Sequence, residues 1–118
     1  MSDRTFGQVC FSDVVGPGEY ARVVFVLARR VRLDEFRFED DVRRPFNFAR
    51  VKVNGECPSI FFKTFKLAQV VPVSTNSGGT DVPFILKPGD VLVVESVNSS
   101  GRPAKLTCSL VGCEKEVP

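Results

Sequence analysis

Apolar and polar residues alternate with a period of two along most of this chain. Gly, Pro or Asn interrupts the alternation about every ten positions. The pattern predicts strands. Phe6–Val14 is the first, ended by the breakers Gly16-Pro17-Gly18. Tyr20–Leu27 follows and is apolar enough to be read as buried in part on both faces. In Arg30–Phe38, Val31 and Leu33 share one parity while Phe36 and Phe38 take the other, which predicts a bulge near Asp34-Glu35. Asp40–Pro45 reads as a charged loop. In Phe46–Val53 the parity also switches, from Phe46 and Phe48 to Val51 and Val53, so an irregularity is expected near Ala49-Arg50.

Asn54-Gly55 is a strong turn dipeptide. Ile60–Leu67 fits a strand and a short helical turn equally well. Gln69–Val73 reads as a short strand that Pro72 confines to an edge, and Ser74–Thr80 as a loop. Val82–Leu86 and Val91–Val97 are strands on either side of the tight turn Lys87-Pro88-Gly89-Asp90. After a turn at Asn98–Pro103, the strand Ala104–Val111 closes the domain, with Leu106, Cys108 and Leu110 on one face. About eight or nine short antiparallel strands and no helix predict a single all-β sandwich domain over residues 1–118. A jelly roll is the preferred topology, with an immunoglobulin-like sandwich and then an OB-type barrel as alternatives.

Composition agrees with this. The 118 residues include 11 Phe and many Val against one Met, one Tyr and no Trp, a mix suited to half-buried pleated strands. Histidine is absent, which removes the commonest general base and the usual partner of a Ser or Cys nucleophile. The adjacent acids Glu39-Asp40-Asp41 read as a solvated loop tip, and Ser77-Gly78-Gly79 lacks the Lys of a phosphate-cradling loop. No catalytic, cofactor-binding or metal residues are assigned, and no enzymatic activity is expected.

Of the four cysteines, no pair has CxxC spacing, which argues against zinc. Cys10, Cys57 and Cys108 lie within or beside apolar runs. Cys10 and Cys108 are expected to be buried free thiols, whereas Cys113 stands near the chain end. The first residues lack the apolar core of a secretory leader, and no run approaches the roughly 18 apolar residues of a membrane helix. Synthesis in a reducing cytoplasm is therefore expected. Asn98-Ser99-Ser100 matches a glycosylation acceptor but reads as a turn.

The formal net charge is only +2, yet eight of ten arginines fall between Arg22 and Arg50. That segment also holds a cluster of acids. Arg suits interfaces because its planar fork binds carboxylates bidentately. Arg29, Arg30, Arg32, Arg43 and Arg44, opposed by Glu39, Asp40 and Asp41, are the candidate contacts between identical copies. Phe46–Val53 interleaves aromatic and basic residues as single-strand nucleic-acid binders do. The plainer reading puts Phe46 and Phe48 in the core and Arg50 and Lys52 outward.

Residues 29–112 resemble small jelly-roll structural proteins of bacteriophages. The resemblance is carried by the arginine-bearing strand Arg29–Phe38 before a charged loop, and by Phe46–Gly55 with its Val-Lys-Val-Asn-Gly ending. The aromatic segment Ile60-Phe61-Phe62 follows. Lys87-Pro88-Gly89-Asp90 then leads into a Val-rich strand ending in Asn98-Ser99, and the last strand runs to Leu110-Val111-Gly112. It implies a virion component, capsid or capsid-associated, that self-associates and docks to other capsid proteins, without catalytic residues. The alternative expectation is a small ligand- or single-stranded nucleic-acid-binding β-barrel module.

Overall fold

In the computed structural model the chain is all-β. The structure describes residues 4–38, 45–56, 65–66, 70–72, 76–77, 80–81 and 84–114. Eleven strands lie within them: β1 (Arg4–Phe11), β2 (Tyr20–Val26), β3 (Val31–Phe38), β4 (Phe46–Val53), β5 (Phe65–Lys66), β6 (Val70–Pro72), β7 (Asn76–Ser77), β8 (Thr80–Asp81), β9 (Phe84–Leu86), β10 (Val91–Asn98) and β11 (Thr107–Glu114). No helix occurs among the described residues, and none is long and apolar enough to cross a membrane.

Two antiparallel sheets pack face to face. One has the order β1-β11-β3, with β6 and β9 end to end along the far edge of β3. The other has the order β2-β10-β4-β5. The core between them comes from the inward faces of the two sheets. β2 contributes Ala21, Val23 and Phe25, β10 contributes Leu92 and Val94, and β11 contributes Cys108 and Leu110, joined by Leu106 just before the strand. The exposed-buried alternation of β2 is perfect, so its other apolar set, Val24 and Val26 with Tyr20, faces out. The expectation of two partly buried faces for this strand is therefore corrected: β2 is an edge strand of a sandwich that is covered on one side only.

Both parity switches prove to be bulges. On β3 the register against β11 shifts between Val111 and Gly112, leaving Asp34 as the extra residue. Val31 and Leu33 before it, and Phe36 and Phe38 after it, consequently all point into the core. Gly112 is required here, because a Cβ would overlap the backbone carbonyl of Arg32. On β4 the shift lies between Ala49 and Phe46, one or two residues before the expected place, and Asn47-Phe48 holds the extra residue.

Turn chemistry locks the far end of β4. Asn54 and Gly55 both have positive φ, 52° and 84°, as a type I′ hairpin turn needs. The Asn54 side chain then clamps the neighbouring turn. Its Nδ2 donates to Asp90 Oδ1 (3.0 Å), and its Oδ1 accepts from the Val91 amide (2.9 Å). Asp90 Oδ2 accepts from the Lys87 amide (2.8 Å). At the opposite end, Asn98 is fully buried. Its Nδ2 donates to the carbonyls of Val15 and Arg102, and its Oδ1 accepts from the amide and hydroxyl of Ser100. That amide is structural and inaccessible to a glycan.

Element boundaries differ from expectation in places. β1 runs Arg4–Phe11, and Val15 only bridges to Ala104. β11 runs Thr107–Glu114, later than Ala104–Val111. The Ser74–Thr80 loop contains part of the small β7–β8 hairpin. The two-residue strands β5, β7 and β8 raise the number of strands above the eight or nine expected. Of the ambiguous Ile60–Leu67, only Phe65 and Lys66 are described, as strand β5 paired to β4.

Candidate functional site

The described arginine candidates are largely engaged within the chain. Arg29 Nε lies 3.4 Å from Glu114 Oε1, and Arg32 Nε donates to Asp34 Oδ1 at 3.0 Å. Arg32 Nη2 also donates to Cys113 Sγ at 3.3 Å. Arg30 is exposed in the turn between β2 and β3. Glu39, Asp40, Asp41, Arg43 and Arg44 lie outside the described residues. On the outward side of the first sheet Arg37 also pairs with Glu35 at 3.0 Å. The exposed ring of Phe11 is capped by Lys105, whose Nζ stands 4.9 Å from its centroid.

The outward side of the second sheet is different. Its centre is Glu95 on β10, whose register partners are Arg22 on β2 and Arg50 on β4. Although it points away from the core, Glu95 is only 7% exposed. Arg22 Nη2 lies 3.7 Å from Oε2, and Lys52 Nζ lies 3.2 Å from Oε1. A carboxylate covered this far needs such partners, because an unpaired buried charge is strongly unfavourable. Among the described residues Arg50 makes no ion pair.

Beside this charge cluster two rings stand exposed. Tyr20 is 63% exposed and Phe48 58%. Tyr20 is the register partner of Val97, and Val97 lies opposite the Asn47-Phe48 bulge, so Tyr20, Val97 and Phe48 form one row across three strands. The bulge lets Phe46 face the core, while Phe48 keeps the outward parity of Arg50 and Lys52. The expectation that Phe46 and Phe48 share the core is thus corrected for Phe48. The Ser96 hydroxyl donates to the Phe48 carbonyl, which pins the bulge. Between the two rings lies an open cleft of about 270 Å3, lined by Tyr20, Phe48, Arg50, Glu95, Val97 and Ser99 among others.

Sequence reasoning found Arg50 and Lys52 as outward cations but missed Tyr20, Glu95 and Val97. The one available signal was parity: Tyr20, Val24 and Val26 oppose the small, fully apolar set Ala21, Val23 and Phe25. The bulge beside Phe48 was legible only to within one or two residues, and that error decides which way the ring points.

Cys10 and Cys108 are register partners across β1 and β11, and both are free thiols. Cys108 is fully buried, and burial pushes its thiol pKa well above the ordinary range, with the neighbouring Cys10 adding to the effect. Cys10 is only half-buried, which corrects the expectation for that residue: it sits on β1, an edge strand. Cys113 is half-buried and free, and Cys57 lies outside the described residues. Among the described residues no three His, Cys, Asp or Glu side chains converge as a metal site. The sequence matches no family model, and no curated protein or solved structure shows a significant match to the chain.

Proposed function

We propose that the chain is a structural protein of a bacteriophage virion, capsid or capsid-associated, made in the host cytoplasm. It acts by self-association and by docking to other shell proteins, with no catalytic role. The observation that carries this reading is the order of strand pairing. β1 pairs with β11, β2 with β10, β3 with β9, and β4 with β5. The first half of the chain therefore pairs with the second half in reverse order, like one long hairpin folded over into two sheets. This nesting supports a jelly-roll wrap, the double Greek key used by viral shell domains. β6 to β8 are additions between β5 and β9.

Two segments of the phage-like pattern also meet in space, since Asn54 of the Val-Lys-Val-Asn-Gly strand end clamps Asp90 of the Lys-Pro-Gly-Asp turn. Contacts between copies are assigned to the arginine region. Arg29 and Arg32 are already paired within the chain, so Arg30 and the acidic and basic residues 39–44 carry that role. Exposed ion pairs contribute only about 0–1 kcal/mol each, so they set register while apolar contact supplies the affinity. Light scattering on the purified chain, with sedimentation alongside phage particles, tests the reading. A closed oligomer or particle-bound protein is expected. A chain that stays monomeric at high concentration and does not join particles overturns it.

A further inference from the structure

We infer that the outward face of β2-β10-β4 binds single-stranded nucleic acid, with a base held between Tyr20 and Phe48 and phosphates on Arg50, Arg22 and Lys52. This does not depend on the shell role. Three observations meet at the site. The first is the row Tyr20-Val97-Phe48, two aromatic rings flanking a small apolar floor. Strands β2 and β4 are two spacings apart, roughly 9–10 Å between backbones. Stacked carbon surfaces approach to about 3.5–4 Å, so a single planar ring fits between two side chains that lean inward.

The second is charge. Three cations stand against one carboxylate on the outward positions of these strands, and that carboxylate is already engaged by Arg22 and Lys52. The face therefore carries an excess of positive charge, with Arg50 unpaired among the described residues next to the cleft. A second copy presenting the same face would bring like charges together, whereas a phosphodiester chain complements it. The third is shape. The cleft opens to solvent on a sheet surface, with a ring on either side of it. Stacking platforms combined with a cationic track are how sheet surfaces hold unpaired bases.

Fluorescence anisotropy with a labelled oligothymidylate tests this, with a duplex of equal length and heparin as competing probes. Binding to the single strand should weaken between 50 and 200 mM salt, with a slope of about −2 in log K against log salt for three phosphate contacts at roughly −0.7 each. Tyr20→Ala and Phe48→Ala should each weaken binding about five- to hundredfold. Arg50→Gln should reduce the salt slope by about 0.7. Arg37→Gln, on the other sheet, should leave affinity unchanged. These side chains are exposed, and circular dichroism on each variant checks that it is folded. No binding at 50 mM salt overturns the inference. So does binding that both ring substitutions leave unaltered, or heparin and duplex competing as well as the single strand, because either outcome means general polyanion attraction without base stacking.

Discussion

β3 and β4 each carry one extra residue against a neighbour, and both bulges leave two adjacent residues outward between core-facing ones, Asp34-Glu35 on β3 and Asn47-Phe48 on β4. At Asp34 the extra residue is spent outward, and four apolar side chains on either side of it all reach the core. At Asn47-Phe48 the outward pair leaves an aromatic ring in solvent. Both bulges bring apolar residues from either side into the core, Leu33 and Phe36 on β3, Phe46 and Ala49 on β4. The outward pair is charged on β3 but includes a ring on β4, where a fully buried Phe would contribute roughly 1.5–3 kcal/mol more than an exposed one. Bulges re-aim side chains beside functional surfaces, and the β4 bulge fits that use. The surroundings agree. Around Asp34 the charges pair locally, with Arg32 bonded to both Asp34 and Cys113. Around Phe48 the cations exceed the acids.

The comparison breaks most severely at Gly112. Replacing it with Ala drives a Cβ into the Arg32 carbonyl, backbone against side chain, with no flexible atom to yield. Gly112→Ala should destabilise the fold by about 3 kcal/mol or more, at the upper end for overpacking, as read from the urea midpoint. A loss under about 1 kcal/mol would mean that the β3 bulge does not bring the strands this close.

The β4 bulge depends on Ser96. Its hydroxyl satisfies the Phe48 carbonyl beside the irregular register, and Ser96 is buried. Ser96→Ala leaves that acceptor unpaired and should cost about 1–3 kcal/mol. If the ring placement depends on this bond, the variant should also bind the oligothymidylate more weakly. Unchanged stability and binding together would show that the bulge is held by something else.

The β3 bulge was legible in sequence because two apolar pairs of opposite parity flank a charged dipeptide, Asp34-Glu35, which has no place in the core. The β4 bulge lacked such a marker. Asn47, Phe48, Ala49 and Arg50 offer several positions for the extra residue, and a hydrophobicity pattern assigns Phe48 inward by default. What places it outward is register: Ala49 and Val51 face the core opposite Ser96 and Val94, which leaves Phe48 outward, with its carbonyl bonded to Ser96, 48 residues away in the chain. The sandwich itself was legible because β2 and β11 bury one parity and the switches on β3 and β4 are each confined to a single bulge. The site was not, because Tyr20, Glu95, Val97 and Phe48 come from three strands whose adjacency is set only by topology.

Register also constrains β4 from its far end, where the Asn54–Asp90 clamp opposes slippage that would turn Phe48 inward. The Asp90 carboxyl is held below its ordinary value of 3.8, first by the Lys87 amide and then by the Asn54 side chain. A depressed carboxyl contributes stability that is fully present above the unfolded value and is lost as pH falls through the folded one. The stability difference between wild type and Asp90→Asn should therefore be constant above about pH 5 and shrink as pH falls through and below 3.8. Urea midpoints taken across that range check it. A difference that is independent of pH throughout would remove the carboxylate from the clamp. Asp90 is only partly covered, so the effect should be smaller than that of Ser96→Ala.

The smallest change in stability is expected at Phe48, where the two bulges differ most. If the ring is a contact surface, the folded state gains little from it. More than half of Phe48 is exposed, and it belongs to no part of the buried cluster that Phe46 joins. Phe48→Ala should then change stability by no more than about 0.5 kcal/mol, as surface substitutions do, while binding of the oligothymidylate falls. A loss of about 2 kcal/mol or more on urea unfolding would instead show that the ring packs in solution and is no free contact surface. Stability and binding thus move apart if Phe48 is a platform and together if it is a core residue, so one variant measured both ways separates the two roles.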